Sequence, residues 1–366
     1  MDLFAPDSLL TDWDLLSLQR IFIKVMKKNL PLFLSVVLMC RCICLSAQSA
    51  DMSEWMRHVD DTVAVSLMSI PGAHDAATGE GMLSLPGFGV TQTLGLEEQW
   101  RCGVRAFDLR PAVRDTLLYI YHGRLRTKVT FAEALDVIRR LLKEHPSEFA
   151  VVLLREESDS ENGEERALWP SLVGKAIREM GESAAVFSPD MKVADVRGQV
   201  LFLTRNRYDG TGRGALIAGW THSKDGSVTA RMVSCADGAE AGLQVQDYYA
   251  PTDAGKRAEK LEAVKRYLAL AAEAPKGVWT INFLSGYSTT WLGCTPLATT
   301  SGYRRNAAWL HPLVLECLGH GGRPMGVVFM DYAGVDKAGG GLWHRKPFKV
   351  YGKMLVRAIV ESNLHE

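Results

Sequence analysis

The run FAVVLLREE, residues 149–157, places six apolar residues in a row and then three charged ones. A strand with one wet face alternates; an unbroken apolar run of this length belongs to a strand covered on both faces, as in a parallel sheet flanked by helices. The charges then fall at its C-terminal end. The same construction recurs along the chain. Strand candidates are VAVSLMSI (63–70), GVRAFDLR (103–110), LLYIYH (117–122), QVLFLTR (199–205), VWTINFL (278–284) and GVVFMDY (326–332). Helical patterns lie between them: TFAEALDVIRRLLKEH (130–145), with Thr130 and Glu133 as a capping box, ERALWPSLVGKAIREMG (165–181), interrupted by Pro170, AGKRAEKLEAVKRYLALAAEA (254–274) and KVYGKMLVRAIVES (349–362). The glycine-rich stretch 206–230 reads as irregular.

Repeated βα units fit either an open doubly wound sheet or a barrel. The polar residues favour the barrel. His74-Asp75, Asp108 and Arg110, His122, Arg155 to Glu157, Arg205 and Asp331 each end a different strand candidate. A barrel brings those ends to one mouth, whereas an open sheet spreads them along a line. The fold expected is therefore α/β, a distorted or incomplete (β/α) TIM-type barrel in a single domain over residues 51–366.

Composition sets outer bounds. The chain has 366 residues, is 47% hydrophobic and carries 42 basic and 42 acidic residues. That is enough apolar material for one large core, and the neutral balance, without a basic stripe, argues against a nucleic-acid partner. A monomer is the simplest expectation. Residues 1–50 differ from the rest: Lys27 and Lys28 precede the apolar run LPLFLSVVLMC (30–40), and SAQSA (46–50) follows. This is the pattern of a secretory signal, too short for a comfortable membrane span, with Met26 as the natural start. Export to the outside, the periplasm or the cell surface is expected. Cys40, Cys42 and Cys44 would allow a lipid anchor, but cleavage near Ala47 or Ala50 fits the flanking residues better. Cys102, Cys235, Cys294 and Cys317 remain, as up to two disulfides or as buried free thiols.

The chemistry centres on SIPGAHDAAT, residues 69–78, where His74 and Asp75 follow a Pro-Gly turn signal after a strand. Two histidines at separate strand ends, His74 and His122, can serve as proton acceptor and donor near neutral pH. Asp75, Asp108 and Asp331 are available to orient them. Asp108 and Arg110, two apart on a strand, project together, which makes either an ion pair or a fixed fork for a phosphate. No other His, Asp and Glu spacing suggests a metal site, so no metal or cofactor is expected.

Taken in order, SIPGAHDAAT, GVRAFDLRP and YHGRLRTKVTFAEALDVIRRLLKEHPSEFAVVLLREE resemble the X-box region of bacterial phosphatidylinositol-specific phospholipases C. RGQVLFLTRNRY (197–208), LQVQDYY (243–249), INFLSGYSTTW (281–291) and GVVFMDY continue the likeness across about residues 60–360. The resemblance implies a metal-independent lyase acting at a membrane surface on phosphatidylinositol or a glycosylated inositol-lipid anchor. The products would be diacylglycerol and a cyclic inositol phosphate. It implies His74 as general base oriented by Asp331, His122 as general acid, Arg110 as the charge clamp with Asp75 as its companion, and Asp108 placing His122 or the arginine. It further implies that Arg155, Arg205 or its neighbour Arg207, Asp247 and Tyr249 hold the headgroup, and that Phe88 and Trp291 dip into the membrane interface. Arg155 stands where bacterial members carry lysine. A metal-dependent glycerophosphodiesterase-like barrel and a non-catalytic inositol-lipid or glycan-binding barrel are the alternatives; Arg110 speaks against the first, and the retained histidines against the second.

Overall fold

The computed structural model describes residues 52–83, 88–157, 163–222, 225–249, 254–286, 300–318, 322–339 and 348–364. They fold into a nine-stranded closed barrel with helices outside it. The barrel strands are β1 (Ser69–Ala73), β2 (Ala106–Leu109), β6 (Ala150–Leu154), β7 (Val200–Thr204), β8 (Ala215–Ala218), β9 (Ser227–Ser234), β10 (Glu240–Gln246), β11 (Val278–Phe283) and β12 (Gly326–Met330). They run in the order β1-β12-β11-β10-β9-β8-β7-β6-β2, and β2 pairs with β1 to close the ring. The barrel is thus complete. Its distortion is local: β8–β9 and β9–β10 pair antiparallel, while the remaining pairs are parallel. β8 and the first half of β9 fall inside the stretch 206–230 expected to be irregular. Their glycines and polar residues masked a hairpin-like excursion with only half of its residues buried.

Every residue of β1, β2, β6, β7 and β12 is buried, which is why β6, β7 and β12 read as nearly continuous apolar runs. Helix α2 (Phe131–Glu144; α1 is Leu96–Arg101) buries Phe131, Ala134, Leu135, Ile138, Leu141 and Leu142, spaced to form one stripe against the barrel. Its start is the expected capping box: Thr130 Oγ1 accepts the Glu133 amide, and the Glu133 carboxylate accepts the Thr130 amide. The 165–181 pattern divides at Pro170 into α3 (Gly163–Ala167) and α4 (Trp169–Glu179), with the proline in the first turn of α4, where its missing N–H costs nothing. Further along come α5 (Val193–Val196), α6 (Ala254–Glu273), α7 (Thr300–Leu318) and α8 (Gly352–Glu361). Among the described residues no helix is long and apolar enough to cross a membrane.

Two expectations about strands are corrected. Val63–Ile70 is not a strand: Val65–Leu67 forms a 3-10 turn, and β1 begins at Ser69 and runs through Pro71-Gly72 to Ala73. Pro71 is tolerated because its carbonyl and nitrogen face the β2 side. There the carbonyl accepts the Arg105 amide, ahead of the first β2 residue, so no ladder bond is lost. Gly72 is required by packing, since a Cβ there would lie 2.7 Å from the Phe329 ring. The second correction concerns LLYIYH. It forms β4 (Leu117–His122) of a separate antiparallel sheet with β3 (Pro111–Arg114) and β5 (Leu125–Thr130), outside the barrel ring.

At the opposite end from the strand C-termini, Arg105 is fully buried. Its Nε donates to Glu148 Oε2 at 2.9 Å, its other nitrogens donate to the carbonyls of Trp100, Val104, Met52 and Ser53, and its guanidinium lies 3.8 Å above the Trp100 ring. Cys102, Cys235 and Cys317 are free thiols; Cys294 lies outside the described residues.

Candidate active site

The site grows from the ends of two paired strands. β1 and β12 run in register to Ala73↔Met330, so the next residues, His74 and Asp331, emerge side by side. Each is followed by a residue in the left-handed region, Asp75 at φ 45° and Tyr332 at φ 55°, which turns the chain sharply at the mouth. The Gln92 side chain ties the two turns together: its amide nitrogen donates to the carbonyls of His74 and Met330, and its oxygen accepts the Ala333 amide. His74 Nδ1 donates to Asp331 Oδ1 at 2.8 Å, and Arg110 Nη2 donates to His74 Nε2 at 2.9 Å. These partners fix the tautomer, with the proton on Nδ1 and the Nε2 lone pair accepting from Arg110.

Arg110 sits where the chain leaves the barrel, between β2 and β3. Its Nε lies 3.0 Å from Asp75 Oδ1 and its Nη2 donates to Asp108 Oδ2 at 2.8 Å. Asp108 also accepts the Asp75 amide at 3.3 Å. Of the two roles left open for Asp108, it therefore places the arginine and the 74–75 turn; no bond to His122 is made. His122 reaches the site from the hairpin sheet. Its Nδ1 donates to the Gly89 carbonyl at 2.7 Å, leaving Nε2 to face Asp75 Oδ2 at 3.3 Å and the Tyr303 hydroxyl at 3.0 Å. Asp75 Oδ2 also lies 3.1 Å from His74 Nε2, so one carboxylate touches both imidazoles, whose centroids are 6.2 Å apart.

Burial shapes the charges. It pushes Asp331 well above the usual carboxylate range, with the Asp75 charge adding to the rise. It pushes His74 well below the usual imidazole range, with Arg110 adding to the fall. His74 is therefore neutral at neutral pH, the form a base requires. Burial raises Asp75 to about 6, and the Arg110 and His122 charges limit the rise. Burial also works against the charge on Arg110, yet Asp108 and Asp75 hold it more firmly cationic than a free guanidinium.

Across the cavity stands a second cluster. His222 Nδ1 donates to Asp247 Oδ2 at 2.8 Å, Trp220 Nε1 donates to the same oxygen at 2.9 Å, and Arg205 Nη2 donates to His222 Nε2 at 2.7 Å. Arg205 stacks 4.4 Å above the Trp220 ring, and Tyr249 meets His222 edge to face. Burial alone would raise Asp247; the His222 bond and charge outweigh it and hold the carboxyl below its usual range. Between the clusters lies a cavity of about 200 Å³, lined by His74, Arg110, His122, Arg155, Asp247 and Tyr249, with Glu157, His222 and Tyr303 among its other walls. Glu157 accepts the Gly123 amide at 2.8 Å and stands 4.0 Å from Arg110.

Of the expected site residues, the structure thus gathers His74, Asp75, Asp108, Arg110, His122, Arg155, Arg205, Asp247, Tyr249 and Asp331 around one mouth. Arg205 joins the cluster, whereas Arg207 is exposed. Phe88 is half-buried and does not line the cavity; Trp291 lies outside the described residues. Sequence reading missed His222, Tyr303 and the fully buried Lys260, whose Nζ donates to Gln246 Oε1 at 3.1 Å. His222 was hidden in the stretch read as irregular. Tyr303 stands on α7 and Lys260 on α6, and a lone polar residue in a helix gives no sign of facing a strand end. His74, Asp75 and Asp108 come close enough to share a cation. The Arg110 guanidinium is bonded to all three.

No family model matches the chain. Among curated proteins, a 1-phosphatidylinositol phosphodiesterase of Listeria monocytogenes is 26% identical over 290 residues, covering 78% of this chain and 82% of the relative. One from Staphylococcus aureus is 25% identical over 336 residues, covering 84% and 94%. The same barrel is found in the phosphatidylinositol-specific phospholipase C of Staphylococcus aureus, with a TM-score of 0.67 at 21% identity over 86% of this chain and 98% of that one. The Listeria monocytogenes enzyme gives 0.60 at 21% identity over 86% and 99%. The chain is an α/β barrel protein. It is a homologue of the bacterial phosphatidylinositol-specific phospholipases C.

Proposed function

We infer that the protein cleaves phosphatidylinositol without a metal ion, releasing diacylglycerol and inositol 1,2-cyclic phosphate. The observation that carries this reading is Arg110, held at once by Asp75, Asp108 and His74 beside two imidazoles. A hydroxyl next to a phosphodiester is a nucleophile already in place, so the protein need only orient it, move two protons and stabilise the phosphoryl charge. His74 Nε2 takes the proton of the inositol 2-hydroxyl, Asp331 holding the ring in the correct tautomer. The new oxygen–phosphorus bond forms as the bond to the glycerol oxygen breaks. Arg110 balances the charge on the phosphoryl oxygens, Asp75 and Asp108 keeping its fork in place. The proton for the glycerol oxygen comes from His122. Arg155, Arg205, Asp247, His222 and Tyr249 form the wall that the inositol ring meets.

The apolar run ahead of residue 51 supports export, so the substrate would be met at an outer membrane surface, as free phosphatidylinositol or as a glycosylated inositol-lipid anchor. The test is to incubate the purified protein with phosphatidylinositol vesicles and excess chelator and to follow phosphorus NMR. A cyclic phosphate signal, lost by a factor of roughly 10² or more in His74→Ala and in His122→Ala, is expected. Activity abolished by chelator would instead favour a cation held by His74, Asp75 and Asp108.

A further inference from the structure

The hydroxyl of Tyr303 stands 3.0 Å from His122 Nε2, closer than Asp75 Oδ2 at 3.3 Å. The other ring nitrogen is committed: Nδ1 donates to the Gly89 carbonyl, an acceptor only, so whatever proton His122 delivers leaves from Nε2. A glycerol oxygen approaching Nε2 therefore meets the tyrosine hydroxyl first. Tyr303 is nearly fully buried on α7, its ring 5.3 Å from the His122 ring, and its residue lines the cavity. A hydroxyl is both donor and acceptor, so in this position it can pass a proton on without carrying charge.

We propose that Tyr303 is a catalytic residue on the leaving-group side, relaying the proton from His122 to the departing lipid oxygen. As the bond from phosphorus to the glycerol oxygen breaks, its electron pair stays on that oxygen. The Tyr303 O–H bond breaks toward it, and the proton of His122 Nε2 restores the phenol. His122 ends neutral, diacylglycerol leaves as the alcohol, and the proton His74 took from the 2-hydroxyl balances the count. Asp75 Oδ2, touching both imidazoles, balances the charge on His122 before transfer.

The inference rests on the function proposed above, and a leaving-group comparison separates the two. Wild type, Tyr303→Phe and His122→Ala are each assayed on phosphatidylinositol in detergent micelles and on a nitrophenyl ester of inositol phosphate, whose leaving group needs no proton. Relay predicts that Tyr303→Phe loses roughly tenfold or more in kcat on the lipid and stays within about twofold of wild type on the nitrophenyl ester. His122→Ala should show the same selective pattern, more strongly. The nitrophenyl rate also reports that the variant is folded. Wild-type activity on the lipid retained in Tyr303→Phe, or an equal loss on both substrates, overturns the relay. A wild-type protein that turns over neither substrate refutes the proposed function, and the relay with it.

Discussion

Asp75 Oδ2 lies 3.3 Å from His122 Nε2 although the two residues belong to different parts of the fold, the barrel rim and the hairpin sheet. Burial holds this carboxyl at about 6 in the folded chain, above its ordinary 3.8. Because the folded value is the higher, the native state holds the extra proton, and this contribution to stability is present below pH 4 and lost as pH rises through about 6. Asp75→Asn should remove that segment of the stability curve. Chemical denaturation of both proteins between pH 4 and 7 checks it. The same variant should lose activity on the order of 10²-fold, since it leaves Arg110 and His122 without their shared carboxylate.

Arg110→Lys is expected to be nearly inactive, with kcat down on the order of 10²-fold or more. An ammonium is a point charge and cannot meet Asp75, Asp108 and the phosphoryl group at once as a planar fork does. Steady-state kinetics, with the lipid at saturating surface concentration, reads this as a fall in kcat rather than a rise in KM.

His222→Ala should do the reverse. The residue binds Asp247 and Arg205 and touches neither His74 nor His122, so its removal loosens the headgroup wall alone. A KM increase of roughly tenfold at little-changed kcat is the expected split.

Lys260 is buried with a pKa lowered by burial to about 7. The unfolded chain binds this proton up to about pH 10, so stability rises with pH from 7 toward 10 as the penalty of charging the buried amine disappears. Lys260→Met should therefore be more stable than wild type at pH 6, by on the order of 1–3 kcal/mol, with the difference shrinking by pH 9. Gln246 Oε1 keeps the Tyr248 amide as a partner in the variant. Urea titrations at the two pH values measure this.

Arg105→Met should cost about 3–5 kcal/mol, because Glu148 is left without its counter-ion in the core at the far end of the barrel. Activity of the folded fraction should be unchanged, which separates this loss from those at the mouth.

Parts of this architecture were legible in the chain itself because parallel strands covered on both faces must be apolar throughout and must end where the apolar run ends. FAVVLLREE, QVLFLTR and GVVFMDY carried that signal, and the charged residues after them marked the mouth. β8 to β10 did not, since antiparallel strands on the barrel's distorted side are only half-buried and carry glycines and charges. SIPGA misled in the other direction: Pro71-Gly72 has the composition of a turn, yet lies within β1 because the neighbouring strand starts one step later and Phe329 needs the space of a missing Cβ. His74, Asp331 and Arg110 stood at strand ends and could be found there. His222 and Tyr303 come from a loop and a helix, where nothing periodic marks the side chain that turns inward, and only three-dimensional packing reveals them.

The hairpin sheet gives the site a divided ownership. His74, Asp331 and Asp247 ride on strands locked into the ring, whereas His122 rides on β4, which shares no ladder with it. Under the proposed reaction, substitutions that shift how the hairpin seats against α2 and the 76–80 turn would alter departure of the lipid while leaving inositol recognition intact. The two halves of the proposed reaction are thus open to tuning by selection in large part separately, one written in the ring and the other in an appendage, joined by Tyr303 of α7, that can be adjusted without reopening it.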